Sequence, residues 1–167
     1  MVRFYRKPIS LTKEKVKPTV ILDTLIIRPA LFRTGSSEER FYENIFEKCW
    51  SLLITDEILK EYKKGARGEG ANASDIAIEL ERWAHAGKLK RRISKSVSLT
   101  KKEESLIHDE TDHMFLKAVK IASQESMTGY SSVYLISNEK EPKWNRSKIE
   151  RSFDVKVLEF EDAIRLL

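Results

Sequence analysis

Short, unbroken apolar runs separated by amphipathic stretches mark most of this chain. The runs at residues 19–23 and 51–55 have no alternating polar face, which predicts strands buried on both sides of a sheet. Similar runs at 133–137 and 155–159 predict two further strands. The charged segment 88–94, KLKRRIS, predicts a weaker strand at the edge of the sheet.

Amphipathic stretches between these runs carry apolar residues at helical spacing. We expect helices at 36–50, at 56–65 with an end at Gly65, at 74–88, at 108–125 and at 161–167. Strands that alternate with helices indicate an α/β protein, a three-layer α/β/α sandwich with a mainly parallel central sheet.

Length and composition set the limits of this prediction. A chain of 167 residues, 41% hydrophobic and 34% charged, is typical of one globular domain with a sizeable core. A single cysteine excludes an internal disulfide. No apolar run reaches the roughly 18 residues of a membrane span, and the first residues lack the apolar core of a signal peptide, so we expect a cytoplasmic protein with no membrane partner.

Charge is distributed unevenly along the chain, whose formal net charge is +5. Residues 1–18 hold six basic side chains against Glu14 alone, and residues 88–102 hold seven with no acid. We therefore divide the chain into a basic N-terminal tail, 1–17, and a folded domain, 18–167. This separation suits a polyanion held by basic segments, although a solvated loop and a loose tail explain each segment taken alone.

Three acids lie where strands are predicted to end or helices to begin. Asp23 ends the first strand, Glu61 lies on the helix after the second strand, and Asp112 lies in the first turn of a later helix. Parallel sheets bring such positions to one edge, where ligands bind. Oxygen ligands without histidine or cysteine favour Mg²⁺ or Mn²⁺, which can activate water at a phosphodiester.

The chain resembles the PIN-domain ribonucleases through four short motifs in the family's order: VILDT, ITDEILKEY, DETDHMFLKAV and YLISNEKE. This resemblance runs from about residue 18 to the C-terminus. It implies metal-binding and catalytic roles for Asp23, Glu61 and Asp112, a PIN-like fold, and an Mg²⁺- or Mn²⁺-dependent endoribonuclease. Small proteins of this family are often toxins bound by a cognate antitoxin, and often dimers, so an antitoxin and a second copy are implied as partners.

Two positions depart from the family pattern. Leu25 stands where the family commonly has Asn, and Asn138 stands where it has a fourth Asp, while Ser137 keeps the hydroxyl of its Thr. We expect Asn138 to be a weak ligand, with Asp109 or Glu139 as weak substitutes. The departures favour an alternative, a catalytically degenerate PIN-fold module for RNA binding or scaffolding. A phosphoacceptor receiver or phosphatase is a poorer alternative, because the first strand supplies only one acid.

Each acid also has a purely structural interpretation. Asp112 and its neighbours suit the first turn of a helix, with Asp109 as a natural N-cap. Glu61 can pair with Lys64 of its own helix. Asp23 is the hardest to explain in this way, because a carboxylate that ends a buried strand is costly unless it is paired.

Candidate contacts to an RNA backbone come from the basic segments. They are Arg91, Arg92, Lys88, Lys90, Lys95, Arg6 and Lys7, with Arg3 and Tyr5 beside the last two.

Overall fold

The computed structural model describes residues 17–126, 132–140 and 143–167. The tail residues before 17, including the predicted RNA contacts Arg6 and Lys7, lie outside the described part of the chain.

A five-stranded, all-parallel sheet forms the centre of the described structure, in the order β3-β2-β1-β4-β5. The strands are β1 Thr19–Leu22, β2 Ser51–Thr55, β3 Leu89–Arg92, β4 Val133–Ile136 and β5 Lys156–Leu158. Every residue of β1, β2 and β4 is buried, whereas β3 and β5 at the two edges are partly exposed. The predicted buried strands and the charged edge strand are confirmed.

Eight α-helices of the described residues cover the sheet, which makes the protein a three-layer α/β/α sandwich. They are α1 Thr24–Phe32, α2 Ser37–Glu47, α3 Asp56–Gly68, α4 Ala73–His85, α5 Lys101–Glu104, α6 His113–Ser126, α7 Arg146–Phe153 and α8 Phe160–Leu166. Short 3-10 turns lie at Ser94–Ser96 and Glu110–Asp112.

Side chains of β3 show which helices lie on which face. Neighbouring residues of a strand point to opposite faces. Arg91 lines a groove with α3 and α4, whereas Arg92 pairs with Glu125 of α6. The layer of α3 and α4 therefore lies opposite α6, and α1 packs beside α3.

Helix caps follow from the sequence at two of the predicted starts. Ser36 accepts a hydrogen bond from the Glu39 backbone N–H at 3.0 Å and begins α2. Thr55 accepts one from the Ile58 N–H at 3.3 Å and begins α3 directly after β2. An Ncap oxygen satisfies one of the free N–H groups of the first turn, so each helix starts at a fixed residue.

Four helices differ from the predicted elements. The helix α3 continues past Gly65 to Gly68. Gly65 serves close packing rather than helix termination, because a Cβ there would lie 2.9 Å from Arg28 Cδ of α1. Helices α1, α5 and α7 were not predicted; α1 contains Pro29, which usually marks a boundary because it lacks an N–H donor.

Candidate active site

The order in which the chain adds strands to this parallel sheet reverses at the middle of the sheet. From β1 the chain passes to β2 and β3 on one side, then crosses back to β4 and β5 on the other. The adjacent strands β1 and β4 therefore lead away in opposite directions at their carboxyl ends, which opens the crevice where open α/β sheets bind ligands. Asp23 follows β1 at this point, and the segment Ser137-Asn138-Glu139 follows β4.

Asp23 is a buried carboxylate at the N-cap of α1, with only 4% of its surface exposed. Its Oδ2 accepts a hydrogen bond of 2.6 Å from the Ser137 hydroxyl. Burial raises the pKa of Asp23 from 3.8 to about 6, the Ser137 hydrogen bond opposes the rise, and the charges of Asp112 and Glu139 add to it. A buried carboxylate with two acids in electrostatic range suits protonation or a bound cation.

Ser137 also shapes the turn that follows β4. Its hydroxyl oxygen accepts a hydrogen bond of 3.0 Å from the Glu139 backbone N–H while the same group donates to Asp23. This bond fixes the backbone of Glu139, a weak candidate from the sequence, and the Glu139 side chain is half-buried. Glu139 rather than Asn138 is therefore the group of this turn whose charge acts on Asp23.

Asp112 closes the 3-10 turn that leads into α6 rather than lying in the first α-helical turn. Its Oδ2 accepts a hydrogen bond of 3.1 Å from the indole N–H of Trp144. Burial raises the pKa of Asp112, helped by the charges of Asp109 and Glu139 and opposed by Trp144 and Lys143. Two of the three predicted acids, Asp23 and Asp112, are therefore electrostatically coupled across the crevice.

Asp109 has the capping role that its position suggested. Its Oδ1 accepts hydrogen bonds from the Thr111 N–H at 2.9 Å and the Thr111 hydroxyl at 2.7 Å, which lower its pKa. His113 places Nε2 2.9 Å from the carbonyl oxygen of Ile107. Both residues thus stabilise the turn before α6.

Glu61 lies on the side of α3 that faces α1. Gly65, one turn later, contacts Thr24 and Arg28, and residues four apart share a helix face. Glu61 is half-buried and, in the described part of the chain, its carboxylate makes no hydrogen bond or ion pair, so the suggested pairing with Lys64 is not formed. The next residue, Tyr62, is fully buried and donates a hydrogen bond to the carbonyl of Leu22, directly before Asp23.

Asn138 is used to hold a helix. Its side-chain oxygen accepts a hydrogen bond of 3.0 Å from the backbone N–H of Phe160, the first residue of α8. Helix starts have free N–H groups, and Glu159, the N-cap residue of α8, satisfies none with its side chain. The exposed amide of Asn138 therefore has a structural function in this arrangement.

Arg146 contacts the candidate site but was not predicted from the sequence. From the first turn of α7 its Nη2 donates to the carbonyls of Ser137 at 3.2 Å and Glu139 at 2.6 Å, while Nη1 pairs with Glu159 at 2.8 Å. The guanidinium thus fixes the backbone on both sides of Asn138. No motif surrounds Arg146, so only its tertiary contacts reveal this role.

Two lysines lie beside the acids. Lys143 Nζ is 3.6 Å from Glu139 Oε2, and its charge lowers the pKa of Asp112. Lys140 follows Glu139 directly and is exposed, with no side-chain partner in the part of the chain that the structure describes.

The predicted RNA contacts of residues 88–95 are divided by the fold. Lys88 donates to the Phe46 carbonyl at 2.5 Å, Lys90 donates to the Thr19 hydroxyl at 2.9 Å, and Arg92 pairs with Glu125. Arg91 and Lys95 are exposed and, within the described ranges, make no side-chain hydrogen bond or ion pair. The seven positive charges of 88–102 therefore do not form one free basic patch.

The donors around the crevice suit a hard divalent cation, since Asp23, Asp112 and Glu139 supply carboxylate oxygens only. In residues 17–126, 132–140 and 143–167, however, no group of three or more histidine, cysteine, aspartate or glutamate side chains is already placed to hold a metal ion. Trp144 and Lys143 instead hold Asp112 and Glu139. A cation would require these two carboxylates to turn toward Asp23.

No protein-family model matches this chain, and no curated protein matches its sequence. The resemblance to PIN-domain ribonucleases therefore stays a prediction from the motifs. Among the described residues, no helix combines the length and apolar character needed to cross a membrane.

Proposed function

We propose that this protein is a metal-dependent endoribonuclease of PIN-like type, which hydrolyses RNA phosphodiester bonds at the crevice between β1 and β4. The proposal rests on the burial of the Asp23 carboxylate and on its electrostatic coupling to Asp112 and Glu139. Asp23 lies where the strand order of the sheet reverses. Such an arrangement costs free energy in the absence of a cation, which makes a structural role alone a poor explanation.

In this proposal Asp23, Asp112 and Glu139 would hold Mg²⁺ or Mn²⁺, with Glu61 at the α1 side of the crevice. When bound, the cation supplies a nucleophilic water and charge stabilisation at the phosphorus. Ser137 orients the Asp23 carboxylate through its 2.6 Å hydrogen bond, and Arg146 holds the turn that carries Glu139. Asn138 takes no part in binding the ion, because it caps α8.

Cations next to the acids support RNA as the substrate. Lys140 and Lys143 lie within the turn that follows β4, where a phosphate must approach, and Lys140 has no intramolecular partner in the described residues. Phosphate contacts of this kind bind any sequence and weaken with salt. Lys95 and the basic tail, with Arg6 and Lys7, are further candidates for contacts along the strand, and an antitoxin and a second copy remain predicted partners.

A second function, a degenerate module that binds RNA or acts as a scaffold without cleavage, is favoured by two observations. The Asn138 side-chain oxygen binds the start of α8, and no group of three acids among the described residues is already placed for a metal. This alternative keeps the RNA surface and removes the reaction.

Cleavage of labelled RNAs of mixed sequence tests the proposal. Wild type, Asp23→Asn and the control Asp162→Asn are compared with Mn²⁺, with Mg²⁺ and with chelator; Asp162 is an acid of α8 whose side chain is 57% exposed. We expect metal-dependent cleavage by wild type and control, and a loss of about 100-fold or more in Asp23→Asn because the variant lacks a charged ligand.

Cleavage that survives in chelator, or in Asp23→Asn, would contradict the assigned site. RNA binding without cleavage by any of the three proteins would favour the degenerate module instead.

A further inference from the structure

A second surface of the protein lies at the open edge of the sheet, away from the acids. Here two adjoining depressions, which share Leu59 and Arg91, lie along β3, α3 and α4, and we call them together the edge groove. It is lined by Leu59, Lys63, Leu80, Leu89, Arg91 and Ile93.

Backbone groups of β3 are free along this edge. The Leu52 N–H donates to the Lys88 carbonyl at 2.8 Å, and in a parallel ladder alternate residues bond to the same neighbour. Lys88, Lys90 and Arg92 therefore face β2, and the peptide groups of Leu89 and Arg91 point out of the sheet. Within the described residues no strand pairs with this side of β3. An unpaired strand edge is a template for an added strand.

The side chains on the groove face of β3 form a pattern. Leu89, Arg91 and Ile93 alternate with the residues that point to the α6 face, so all three border the edge groove. Leu59 and Leu80 continue the apolar floor, and Ile93 is 65% exposed. This face of β3 therefore presents an apolar, a basic and an apolar side chain, at the two-residue spacing of an extended chain lying alongside.

Charge identifies the kind of occupant. Arg91 and Lys63 have no hydrogen-bond or ion-pair partner in the part of the chain that the structure describes, unlike Lys88, Lys90 and Arg92. Two acids border the groove, Glu81 and Asp56, and Asp56 already accepts hydrogen bonds from the Ser94 N–H and hydroxyl. A second copy of this chain would bring the same basic strand to the edge and be repelled, whereas an acidic segment is attracted. The apolar floor favours a peptide over a nucleic acid.

We propose that the edge groove binds an extended acidic peptide segment of a partner protein by strand addition to β3. Side chains at i, i+2 and i+4 of the segment are apolar, acidic and apolar, opposite Leu89, Arg91 and Ile93. This interaction is independent of the proposed nuclease reaction and requires no metal.

Fluorescence anisotropy with the full chain tests the proposal. The probe is a short labelled peptide with valine, glutamate and valine at alternate positions, compared with a peptide that has lysine in place of glutamate. The variants are Arg91→Glu and the control Arg40→Glu, which makes the same change of charge at an exposed residue of α2.

We expect saturable binding of the acidic peptide, about tenfold weaker binding in Arg91→Glu, and little change in Arg40→Glu. Amide exchange should slow at Leu89 and Arg91 when the peptide is bound, as strand addition requires. No saturable binding, equal binding of the lysine peptide, or equal losses in both variants would overturn the proposal. Displacement of the peptide by single-stranded RNA, with RNA binding lost in Arg91→Glu, would overturn it in favour of a nucleic-acid surface.

Discussion

At the scale of single residues, Asp23 is the side chain that the fold least easily explains. It is almost completely buried, and hydrogen bonds from the Ser137 hydroxyl and the Leu25 backbone N–H only partly offset that burial. Desolvation therefore dominates its titration and raises its pKa to about 6. In the absence of a cation, the ionised group at neutral pH is a local cost to stability.

Replacing Asp23 by Asn should reveal this cost. The folded protein binds the Asp23 proton more tightly than the unfolded chain does, so stability falls as pH rises from 3.8 to about 6. That rise in pKa corresponds to about 3 kcal/mol. In chelator, Asp23→Asn should gain stability relative to wild type across this interval, by up to about 3 kcal/mol above pH 6.

Urea unfolding at several pH values measures this difference, with Asp162→Asn as the exposed control. A difference between Asp23→Asn and wild type that does not change between pH 4 and pH 7 would contradict the titration assigned to Asp23.

At the scale of elements, the turn after β4 depends on contacts from three directions. Ser137 bonds to Asp23, Asn138 holds the start of α8, and Arg146 of α7 binds the carbonyls of Ser137 and Glu139. The backbone of Glu139 is therefore held by α7, through Arg146. Arg146 is a positioning residue whose effect reaches the site through this turn.

Arg146→Met tests that role. Loss of the guanidinium releases both carbonyls, so the proposed Mn²⁺ site should weaken about 10-fold to 100-fold, as outer-shell substitutions do elsewhere. Arg146→Lys keeps the charge but cannot form the same fork of bonds, and it should restore binding only in part. Isothermal calorimetry with Mn²⁺ gives the affinities.

The control for this experiment is Arg165→Met, which removes an exposed ion pair with Asp162 on α8. Equal Mn²⁺ affinity in Arg146→Met, Arg165→Met and wild type would contradict a positioning role for Arg146.

Elements with a clear periodic pattern were predictable from the sequence, and those that depend on tertiary contacts were not. Unbroken apolar runs identified β1 and β2. Helix α7 was not predicted because it buries only Ile149 and Phe153, which are too few to form a recognisable apolar stripe. Helix α1 was not predicted because Pro29, which lies inside it, suggested a helix boundary.

The candidate site likewise has a part that local patterns predict and a part that depends on contacts distant in sequence. Asp23 and Asp112 could be proposed because their places follow from the ends and starts of elements. The contact of Asn138 with α8 could not be predicted, because it is a hydrogen bond between Asn138 and Phe160, 22 residues apart. Contacts over such distances leave no local pattern in a sequence.

At the scale of the whole molecule, the order of the strands concentrates the acids. The change in strand order between β1 and β4 brings Glu139 into electrostatic range of Asp23, from a residue more than a hundred positions away, and the turn before α6 does the same for Asp112. The basic strand β3 lies at one edge of the sheet, with β2 between it and β1. The fold thus separates a proposed acidic reaction centre from a proposed binding edge.

A Mn²⁺ titration of thermal stability at neutral pH, for wild type and Asp23→Asn, tests the proposed cation site most directly. At a Mn²⁺ concentration about ten times the dissociation constant, wild type should gain about 1.4 kcal/mol, or a melting temperature higher by about 3–6 °C. Asp23→Asn should start from a higher melting temperature in chelator and respond little to Mn²⁺. A wild-type melting temperature that Mn²⁺ leaves unchanged, or an equal rise in Asp23→Asn, would contradict a cation site built on Asp23.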